Sequence, residues 1–350
     1  MRDFHALRVA EVERLCSDAV AVTFDVPDDL AGVYAFRPGQ SLTVRRPGDE
    51  RDERRSYSIC APDGARPRIG VREVPGGRVS GWLVRELRVG DAVEVAPPSG
   101  TFTPELGAGG RHVMIAAGSG ITPVLSIATS LLRDPKAHVA VLYGNRHADT
   151  VMFAEELSDL KDQHPSRLEL VHLLSREARE VDLLSGRLDG AKLRALLPLL
   201  LDVGAVDHWW LCGPFGMVVD ATEVLGAAGV APERIHRELF WVDEAPPEPV
   251  REESTPAAES SEVTVLLDGR STTVTVAQGA TVLEGAQRSR PDLPFACKGG
   301  VCGTCRARVV EGDVVMRRNF ALEPAEVAAG FVLTCQSTPA SPKVTVTFDD

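Results

Sequence analysis

The sequence lacks a basic excess, a long apolar run and an apolar stretch in its first five residues. Its 38 Lys and Arg stand against 50 Asp and Glu, a net charge of −12, and this argues against nucleic-acid binding because phosphate contacts need a basic face. The most apolar window, residues 193–206, is broken by Arg194, Pro198 and Asp202 and is shorter than the roughly 20 residues of a membrane helix. Residues 1–5 show no apolar core of a secretory signal. We expect no nucleic-acid or membrane partner and a cytoplasmic location.

The composition is otherwise that of an ordinary globular protein. The chain has 350 residues, of which 44% are hydrophobic and 7 are Cys, and this length predicts two or three domains, each with its own core. In the cytoplasm cysteines stay reduced, so a group of them indicates metal or redox chemistry rather than disulfides.

The first two predicted domains differ in the rhythm of their apolar residues. Residues 1–106 contain short β-branched runs separated by Pro and Gly turns, which predicts an antiparallel β-barrel or sandwich. Residues 107–242 alternate apolar strands with helices, which predicts an α/β domain with a parallel sheet. The expected strands are 19–26, 40–44, 68–74 and 91–95 in the first domain and 112–117, 138–143, 168–174 and 208–212 in the second, with helices at 122–133 and 215–228.

A linker and a third domain complete the chain. Residues 243–261 carry six acidic residues and four Pro, too few apolar side chains to fold, and predict an extended linker. Residues 262–350 predict an α+β domain with a hairpin that turns at Asp268-Gly269, a short helix from Thr281, a cysteine-rich loop and two further strands.

Four cysteines of this third domain have a spacing typical of a [2Fe–2S] site. Cys297, Cys302 and Cys305 follow the pattern C-x4-C-x2-C, and Cys335 comes 29 residues later. The intervening glycines let the backbone approach a cluster closely. A four-cysteine zinc site is the alternative, although zinc sites usually show two C-x2-4-C knuckles. On these residues the domain resembles plant-type ferredoxins, which have a β-grasp fold. The resemblance implies that Cys297 and Cys302 bind one iron, and Cys305 and Cys335 the other.

A one-electron cluster cannot accept a hydride, so a flavin is expected upstream. The run Arg55-Ser-Tyr-Ser58, followed by Gly76-Gly-Arg-Val-Ser80, resembles the FAD-binding barrel of the ferredoxin–NADP reductase superfamily; a barrel strand with a surface Arg is the alternative. An Arg can pair with the pyrophosphate and an aromatic ring can stack on the flavin. The resemblance implies that FAD is bound by Arg55, Tyr57, Ser58, Val71, Gly77, Val79 and Ser80.

The second domain carries nucleotide motifs of the same superfamily. Gly118-Ser-Gly-Ile-Thr-Pro123 follows a strand, with Thr122 expected as N-cap and Pro123 at the first helical position. It resembles the loop that holds the nicotinamide dinucleotide pyrophosphate, by Gly118, Gly120 and Thr122, and a plain strand–helix turn is the alternative. Ser175-Arg176-Glu177 resembles the stretch that grips a 2′-phosphate in this superfamily, and Arg146 offers a second cation nearby. This favours NADPH over NADH, although an Arg after a strand is often only solvated.

Two further motifs concern the hydride itself. Cys212-Gly213-Pro214 ends an apolar strand and resembles the superfamily's C-G-P motif, whose Cys lies near the reacting carbon of the nicotinamide; a buried structural Cys is the alternative. Glu238-Leu-Phe240 resembles its E-x-F motif, whose ring approaches the flavin, but Trp241 is a second candidate ring. We expect Cys212, Ser58, Glu238 and Phe240 to be the catalytic residues.

Over its whole length the chain resembles the reductase subunits of ring-1,2-phenylacetyl-CoA epoxidases. The resemblance rests on motifs such as Phe36-Arg-Pro-Gly-Gln40, Ala296-Cys-Lys-Gly-Gly-Val-Cys302 and Gly330-Phe-Val-Leu-Thr-Cys-Gln336. It implies that hydride passes from NADPH to FAD and that single electrons pass through the cluster to a separate di-iron oxygenase. The alternatives are the reductase of a Rieske-type 3-ketosteroid 9α-hydroxylase, which tends to have Glu-Gly-His where this chain has Gly299-Gly300-Val301, and a nucleotide-binding regulatory module that catalyses nothing.

Overall fold

The computed structural model describes residues 4–47, 53–240, 260–322 and 324–349. These residues form two compact units, one of them Phe4–Phe240 and the other in the C-terminal part of the chain from residue 260. Residues 243–259 of the predicted linker lie outside the described residues, whereas its last two residues, Ser260 and Ser261, already form part of a strand. No helix of the described residues is long and apolar enough to cross a membrane.

An antiparallel barrel forms the first part of the larger unit. Its elements are β1 (His5–Cys16), β2 (Ala19–Asp25), β3 (Ser41–Arg46), β4 (Glu53–Ser58), β5 (Arg68–Arg72), α1 (Arg78–Arg85) and β6 (Ala92–Val95). The strand order is β4-β3-β6-β1-β2-β5, and an antiparallel bridge between Ile59 and Ile69 joins the two edges, which closes the sheet. The prediction of an antiparallel barrel is confirmed.

The longest strand of the barrel was not predicted. β1 spans twelve residues, and its pairing with β2 shifts register between Val9 and Glu11 and again between Arg14 and Cys16. Each shift inserts a residue and reverses which side chains face the core. The alternation of apolar and polar residues, on which strand prediction depends, is therefore interrupted twice.

The second part of the larger unit is a parallel sheet, as predicted, and the sheet has five strands where four were listed. Its elements are β7 (Gly110–Ala117), α2 (Ile121–Leu131), β8 (Ala137–Asn145), α3 (Ala154–Gln163), β9 (Leu168–Leu174), α4 (Gly190–Leu200), β10 (His208–Gly213), α5 (Phe215–Ala227) and β11 (Ile235–Leu239). The order β11-β10-β7-β8-β9 reverses direction between β7 and β10. In open parallel sheets ligands bind beyond the carboxyl ends of the strands at such a reversal.

Besides the barrel's own core, one hydrophobic core is shared by the barrel and the parallel sheet. Phe102 from the barrel side packs edge-on against Trp210 of β10, with ring centroids 5.2 Å apart. Polar contacts cross the same boundary: Ser126 in α2 donates to the Ala61 carbonyl at 2.5 Å, and Arg68 in β5 pairs through both terminal nitrogens with Glu156 in α3. This packing fixes residues at the end of β4 relative to those at the ends of β10 and β11.

The C-terminal unit is an α+β fold of the β-grasp type. Its elements are β12 (Ser260–Leu267), β13 (Arg270–Ala277), α6 (Val282–Ala286), β14 (Arg306–Glu311), β15 (Val314–Met316), α7 (Pro324–Ala328), β16 (Phe331–Leu333), β17 (Ser337–Pro339) and β18 (Lys343–Thr347). One sheet has the order β13-β12-β18-β14-β16, with β12 and β18 parallel, and β15 pairs with β17.

Local signals in this unit were predicted well, and the strand count was not. Asp268 and Gly269 both have positive φ, 53° and 68°, as the predicted two-residue turn requires. Thr281 caps α6, accepting from the Glu284 amide while the Glu284 carboxylate accepts from the Thr281 amide. After the cysteine loop, however, five strands follow rather than the expected two. Three of them have only three residues, too few to show an alternating pattern.

Candidate active site and metal centre

Ser58, Cys212 and Glu238 meet at the carboxyl ends of β4, β10 and β11. Cys212 and Glu238 are directly opposite one another in the parallel register of β10 and β11. The Ser58 hydroxyl donates to Glu238 Oε2 at 3.0 Å, and Cys212 Sγ lies 4.0 Å from the same oxygen. Ser58 and Cys212 are buried and Glu238 is half-buried. The structure thus brings together three of the four predicted catalytic residues.

The electrostatics of this cluster favour neutral side chains. Burial raises the pKa of Glu238 to about 7, while the hydrogen bond from Ser58 opposes the rise. Burial, and after it the Glu238 carboxylate, raises the pKa of the Cys212 thiol well above its usual range. Near neutral pH the Cys212 side chain is therefore a thiol rather than a nucleophilic thiolate. Glu238 titrates close to pH 7, so it can hold or release a proton.

Phe240, the fourth predicted catalytic residue, follows β11. It is half-buried and packs against the core shared by the barrel and the parallel sheet. Trp241, the alternative ring, lies outside the described residues. The adjoining strand ends in Gly213, where a Cβ would lie 2.7 Å from Met217 Cε, and Pro214 is the N-cap residue of α5.

The glycine loop after β7 lies directly against Cys212. A Cβ on Gly120 would be 2.0 Å from the Cys212 carbonyl oxygen, so only glycine fits there. Gly118 has φ of +56°, and its carbonyl accepts from the Tyr143 hydroxyl at 3.0 Å. The expected capping was wrong: Gly118–Gly120 form a 3-10 turn, and Gly120, not Thr122, is the N-cap of α2. Thr122 instead donates to the Ser119 carbonyl at 2.9 Å, because the 3-10 turn leads straight into the helix.

Arg72, the last residue of β5, is a site residue that sequence reasoning missed. Its NH1 lies 3.3 Å from where a Cβ on Gly118 would be. Its Nε donates to Asp18 at 3.2 Å, and NH2 donates to the Thr150 carbonyl. A positive charge held beside a glycine loop suits a pyrophosphate. The only sequence signal was a basic residue at the end of a strand, which is usually solvated.

Arg146, Ser175 and Arg176 lie together at the ends of β8 and β9. The amides of Ser175 and Arg176 donate to the carbonyls of Asn145 and Arg146 at 2.8 and 2.9 Å. The two Arg side chains are exposed. Two cations at adjoining strand ends could bind a phosphate group.

The predicted flavin residues fall into two groups. Arg55 is exposed and Tyr57 half-buried on β4, and burial raises the pKa of the Tyr57 phenol, so the hydroxyl stays protonated. Gly77 precedes α1, whose first amides have no side-chain cap, an arrangement that suits a phosphate. These residues fit an FAD.

The remaining predicted flavin residues are placed differently. Val71 and Val79 are 0% and 1% exposed and pack in the barrel core. Their side chains therefore offer no surface on which a flavin could lie. The Ser80 hydroxyl accepts from the Val74 amide at 3.1 Å and contacts the Gly77 carbonyl. It holds the turn before α1.

In the C-terminal unit the four thiols form two pairs. Cys297 interacts with Cys302, and Cys305 with Cys335. The hydrogen bond from Cys302 is the main cause that lowers the pKa of Cys297 to about 5, and the bond from Cys305 likewise lowers the pKa of Cys335. Two pairs of thiols suit a cluster with two irons, each held by two cysteines.

The loop around these thiols offers backbone donors. Lys298, Gly300 and Gly303 have φ of +54°, +79° and +66°, which lets the chain curl around Cys297. The Gly299 amide donates to Cys297 Sγ at 3.2 Å, and Gln336 Nε2 lies 3.5 Å from Cys335 Sγ. The residues present therefore fit a [2Fe–2S] cluster.

Three family models match the chain, each to one part of it. They are the oxidoreductase FAD-binding domain over residues 6–103, the oxidoreductase NAD-binding domain over residues 114–223 and the 2Fe-2S iron-sulfur cluster binding domain over residues 265–340.

Similar proteins match over the full length. A subunit of 1,2-phenylacetyl-CoA epoxidase from Escherichia coli (strain K12) is 42% identical, with 100% of this chain and 99% of that protein covered. The ferredoxin reductase component of 3-ketosteroid-9-alpha-monooxygenase from Rhodococcus rhodochrous is 33% identical over 98% and 96%. The solved structure of phthalate dioxygenase reductase has the same fold, with a TM-score of 0.62 at 23% identity over 99% and 98%.

Proposed function

Since the chain belongs to the family of flavin and [2Fe–2S] reductases that serve separate oxygenases, we propose that its partner is the di-iron oxygenase of a 1,2-phenylacetyl-CoA epoxidase. The 42% identity to the Escherichia coli epoxidase protein along both whole chains supports this partner. The steroid monooxygenase reductase is less similar, at 33%. A reducing compartment, the cytoplasm, suits the four cluster thiols.

The chain is an NAD(P)H-dependent oxidoreductase with FAD, a pyridine nucleotide and a [2Fe–2S] cluster as its cofactors. When bound, the FAD accepts a hydride from the nicotinamide and releases electrons singly to the cluster. These intact domains argue against a regulatory module without catalysis.

The three residues that we place at the site of hydride transfer, Cys212, Ser58 and Glu238, have distinct roles. The neutral Cys212 thiol provides an uncharged surface at the end of β10, against which a nicotinamide ring can pack. Ser58 and Glu238 form a hydrogen-bonded pair that can take up or release a proton because Glu238 titrates near neutral pH. Burial of Ser58 and Cys212 keeps water from the reacting atoms.

Other side chains hold the cofactors. Arg55, Tyr57 and the amides after Gly77 would bind the FAD, and the Gly118–Gly120 loop with Arg72 would bind the nucleotide pyrophosphate. We assign the 2′-phosphate to Arg146 and Arg176 and therefore NADPH rather than NADH as the preferred donor. Cys297 with Cys302 and Cys305 with Cys335 would each bind one iron.

A coupled reaction tests the partner. The purified holoprotein is mixed with NADPH, phenylacetyl-CoA and the oxygenase component of a phenylacetyl-CoA epoxidase, and the epoxide product is followed. A parallel reaction contains a Rieske-type 3-ketosteroid hydroxylase and its steroid. Turnover in the first reaction alone supports the proposal, and turnover in the second alone assigns the steroid partner.

A further inference from the structure

The charges of the C-terminal unit are segregated along its chain. Residues 262–350 have 10 acidic and 9 basic residues in total. The segments that surround the thiols, residues 282–306, 316–322 and 333–338, contain six basic residues and two acidic ones. The rest of the domain contains three basic and eight acidic residues. The segments around the thiols therefore carry a net positive charge, and the rest of the domain carries a net negative charge.

The fold brings these basic residues to the cysteine loop. Lys298 lies within the loop and is exposed; its Nζ donates to Gln287 at 2.9 Å, next to the exposed Arg288. The exposed Arg317 donates its amide to the Gln336 carbonyl, adjacent to Cys335. The Arg318 carbonyl lies 3.3 Å from where a Cβ on Gly300 would be. We call Arg288, Lys298, Arg317 and Arg318 the basic rim.

Three acidic residues near the basic rim bond to groups outside the rim, so they offset its positive charge only in part. Asp292 is engaged with Arg290 at 2.8 Å, a pair outside the rim. Arg306 likewise pairs with Glu326 at 3.0 Å. Glu284 accepts from the Thr281 amide and hydroxyl as the helix cap. Glu284 is itself exposed and close enough to Arg317 and Lys298 for their charges to lower its pKa. Arg288, Lys298 and Arg317 of the rim are exposed.

Two partners could bind this surface. One is the flavin unit, from which electrons enter the domain, and the other is the oxygenase, to which they leave. The flavin unit belongs to the same chain, so the tether supplies a high local concentration, and long-range attraction adds little. The oxygenase is a separate molecule that must be met by diffusion. Complementary charge raises such encounter rates by about 10- to 1000-fold. Electrostatic attraction therefore benefits the encounter with the oxygenase more than the contact with the tethered flavin unit.

We propose that the basic rim docks an acidic patch on the separate oxygenase and directs electron output. The inference rests on the proposed function, because it needs a separate acceptor. It also concerns partner recognition alone, so it holds for either class of oxygenase. The other physical role for these cations would be to offset the negative charge of the cluster and shift its reduction potential.

The test uses the full-length holoprotein with Arg288→Glu and Arg317→Glu combined. The matched control is Arg270→Glu with Lys343→Glu, two exposed residues outside the thiol segments. Anaerobic stopped-flow absorbance measures two steps separately: reduction of the cluster by NADPH, and reoxidation of the cluster by the oxygenase. The cluster potential is measured by spectroelectrochemistry.

The rim variant is expected to lower the second-order rate with the oxygenase about tenfold at low salt. The difference from wild type should vanish near 0.5 M salt, where charges are screened beyond about 4 Å. Cluster reduction by NADPH and the potential should stay at their wild-type values, and the control should behave as wild type.

Other outcomes overturn the inference in distinguishable ways. A rim variant that reduces the oxygenase at the wild-type rate removes the docking role. Slower cluster reduction by NADPH assigns the rim to the flavin unit, and a shifted potential with an unchanged salt dependence assigns it to the cluster. If the wild-type protein reduces neither oxygenase, the proposed function has failed rather than the rim.

Discussion

At the scale of single residues, the proposed hydride site contains a hydrogen bond between two residues 180 positions apart in the chain, Ser58 and Glu238. Motifs predicted that each residue matters, but not that they form a hydrogen bond, because that contact requires the barrel to pack on the parallel sheet. Arg72 was missed for the same reason: its proximity to Gly118 is a product of this packing.

Cys212→Ser tests the proposed role of Cys212 in hydride transfer. The shorter, more polar hydroxyl keeps a contact with Glu238 but alters the surface against which the nicotinamide packs. We expect anaerobic flavin reduction by NADPH to slow by about tenfold to a hundredfold, since small misplacements cost this much, with FAD and cluster content unchanged. Cys60→Ser is the control, since Cys60 is buried in the same core and bonds only to the Arg68 carbonyl at 3.2 Å. Equal slowing in both variants would contradict the role of Cys212.

Arg176→Ala tests the choice of nucleotide. Charge-assisted bonds to phosphate are strong, so loss of this guanidinium should raise the KM for NADPH about tenfold while the KM for NADH is unchanged. Steady-state assays with both nucleotides measure the difference. Arg179→Ala, an exposed change in the same loop, should alter neither value. A parallel rise in both KM values would show that Arg176 does not recognise the 2′-phosphate.

At the scale of elements, the strands of the parallel sheet that are rich in aliphatic residues were predicted best. β9 matches the prediction at both ends, Leu168 and Leu174, although it is an edge strand and only partly buried, because five of its seven residues are Leu or Val. α3, in contrast, is rich in charge and went unpredicted, as did α4, which contains Pro198. The two pairs of thiols could be expected only through family resemblance, because spacing alone does not state which cysteines meet.

Gly120→Ala tests the contact between the glycine loop and β10. The added Cβ would be 2.0 Å from the Cys212 carbonyl oxygen, so the loop must move away from the strand. Overpacking of this kind costs about 1–3 kcal/mol, and we expect a lower melting temperature and a higher KM for NADPH. Gly216→Ala in α5, where a Cβ meets nothing within 4 Å, should leave both unchanged. A normal KM in Gly120→Ala would show that the loop does not position the nucleotide.

A histidine cluster on β7, β10 and β11 predicts loss of stability in acid. His236 stacks on Trp210 at 4.1 Å and bonds to His208 at 3.2 Å, and His112 stacks on His208. Burial, followed by the charges of His208 and His112, lowers the pKa of His236 to about 4. Between pH 6.5 and 4 the unfolded chain therefore binds the extra proton, and stability falls as pH falls.

His236→Gln tests this dependence. The amide can still bond to His208 but does not titrate, so the drop in melting temperature from pH 6.5 to 4.5 should be smaller than in wild type. His138→Gln, at an exposed position, should leave the wild-type drop intact. Thermal melts of the flavin-loaded protein at several pH values measure this drop in melting temperature. A drop in His236→Gln as large as in wild type would show that His236 does not cause the loss of stability in acid.

At the scale of the whole molecule, the chain is an electron path built from separately recognisable parts. The flavin and nucleotide motifs lie in one compact unit and the cluster thiols in the other. The sequence was sufficient for this order because each part carries its own motif. We propose that electrons from NADPH leave the protein only through the cluster.

Anaerobic absorbance spectroscopy of the holoprotein and of Cys302→Ala, with NADPH and the oxygenase as final acceptor, tests that claim most directly. In the wild-type protein the flavin band and the sulfur-to-iron band should both bleach, and the oxygenase should become reduced. In Cys302→Ala the flavin band should bleach at the wild-type rate while the oxygenase stays oxidised. If Cys302→Ala reduced the oxygenase at the native rate, the path through the cluster would be wrong.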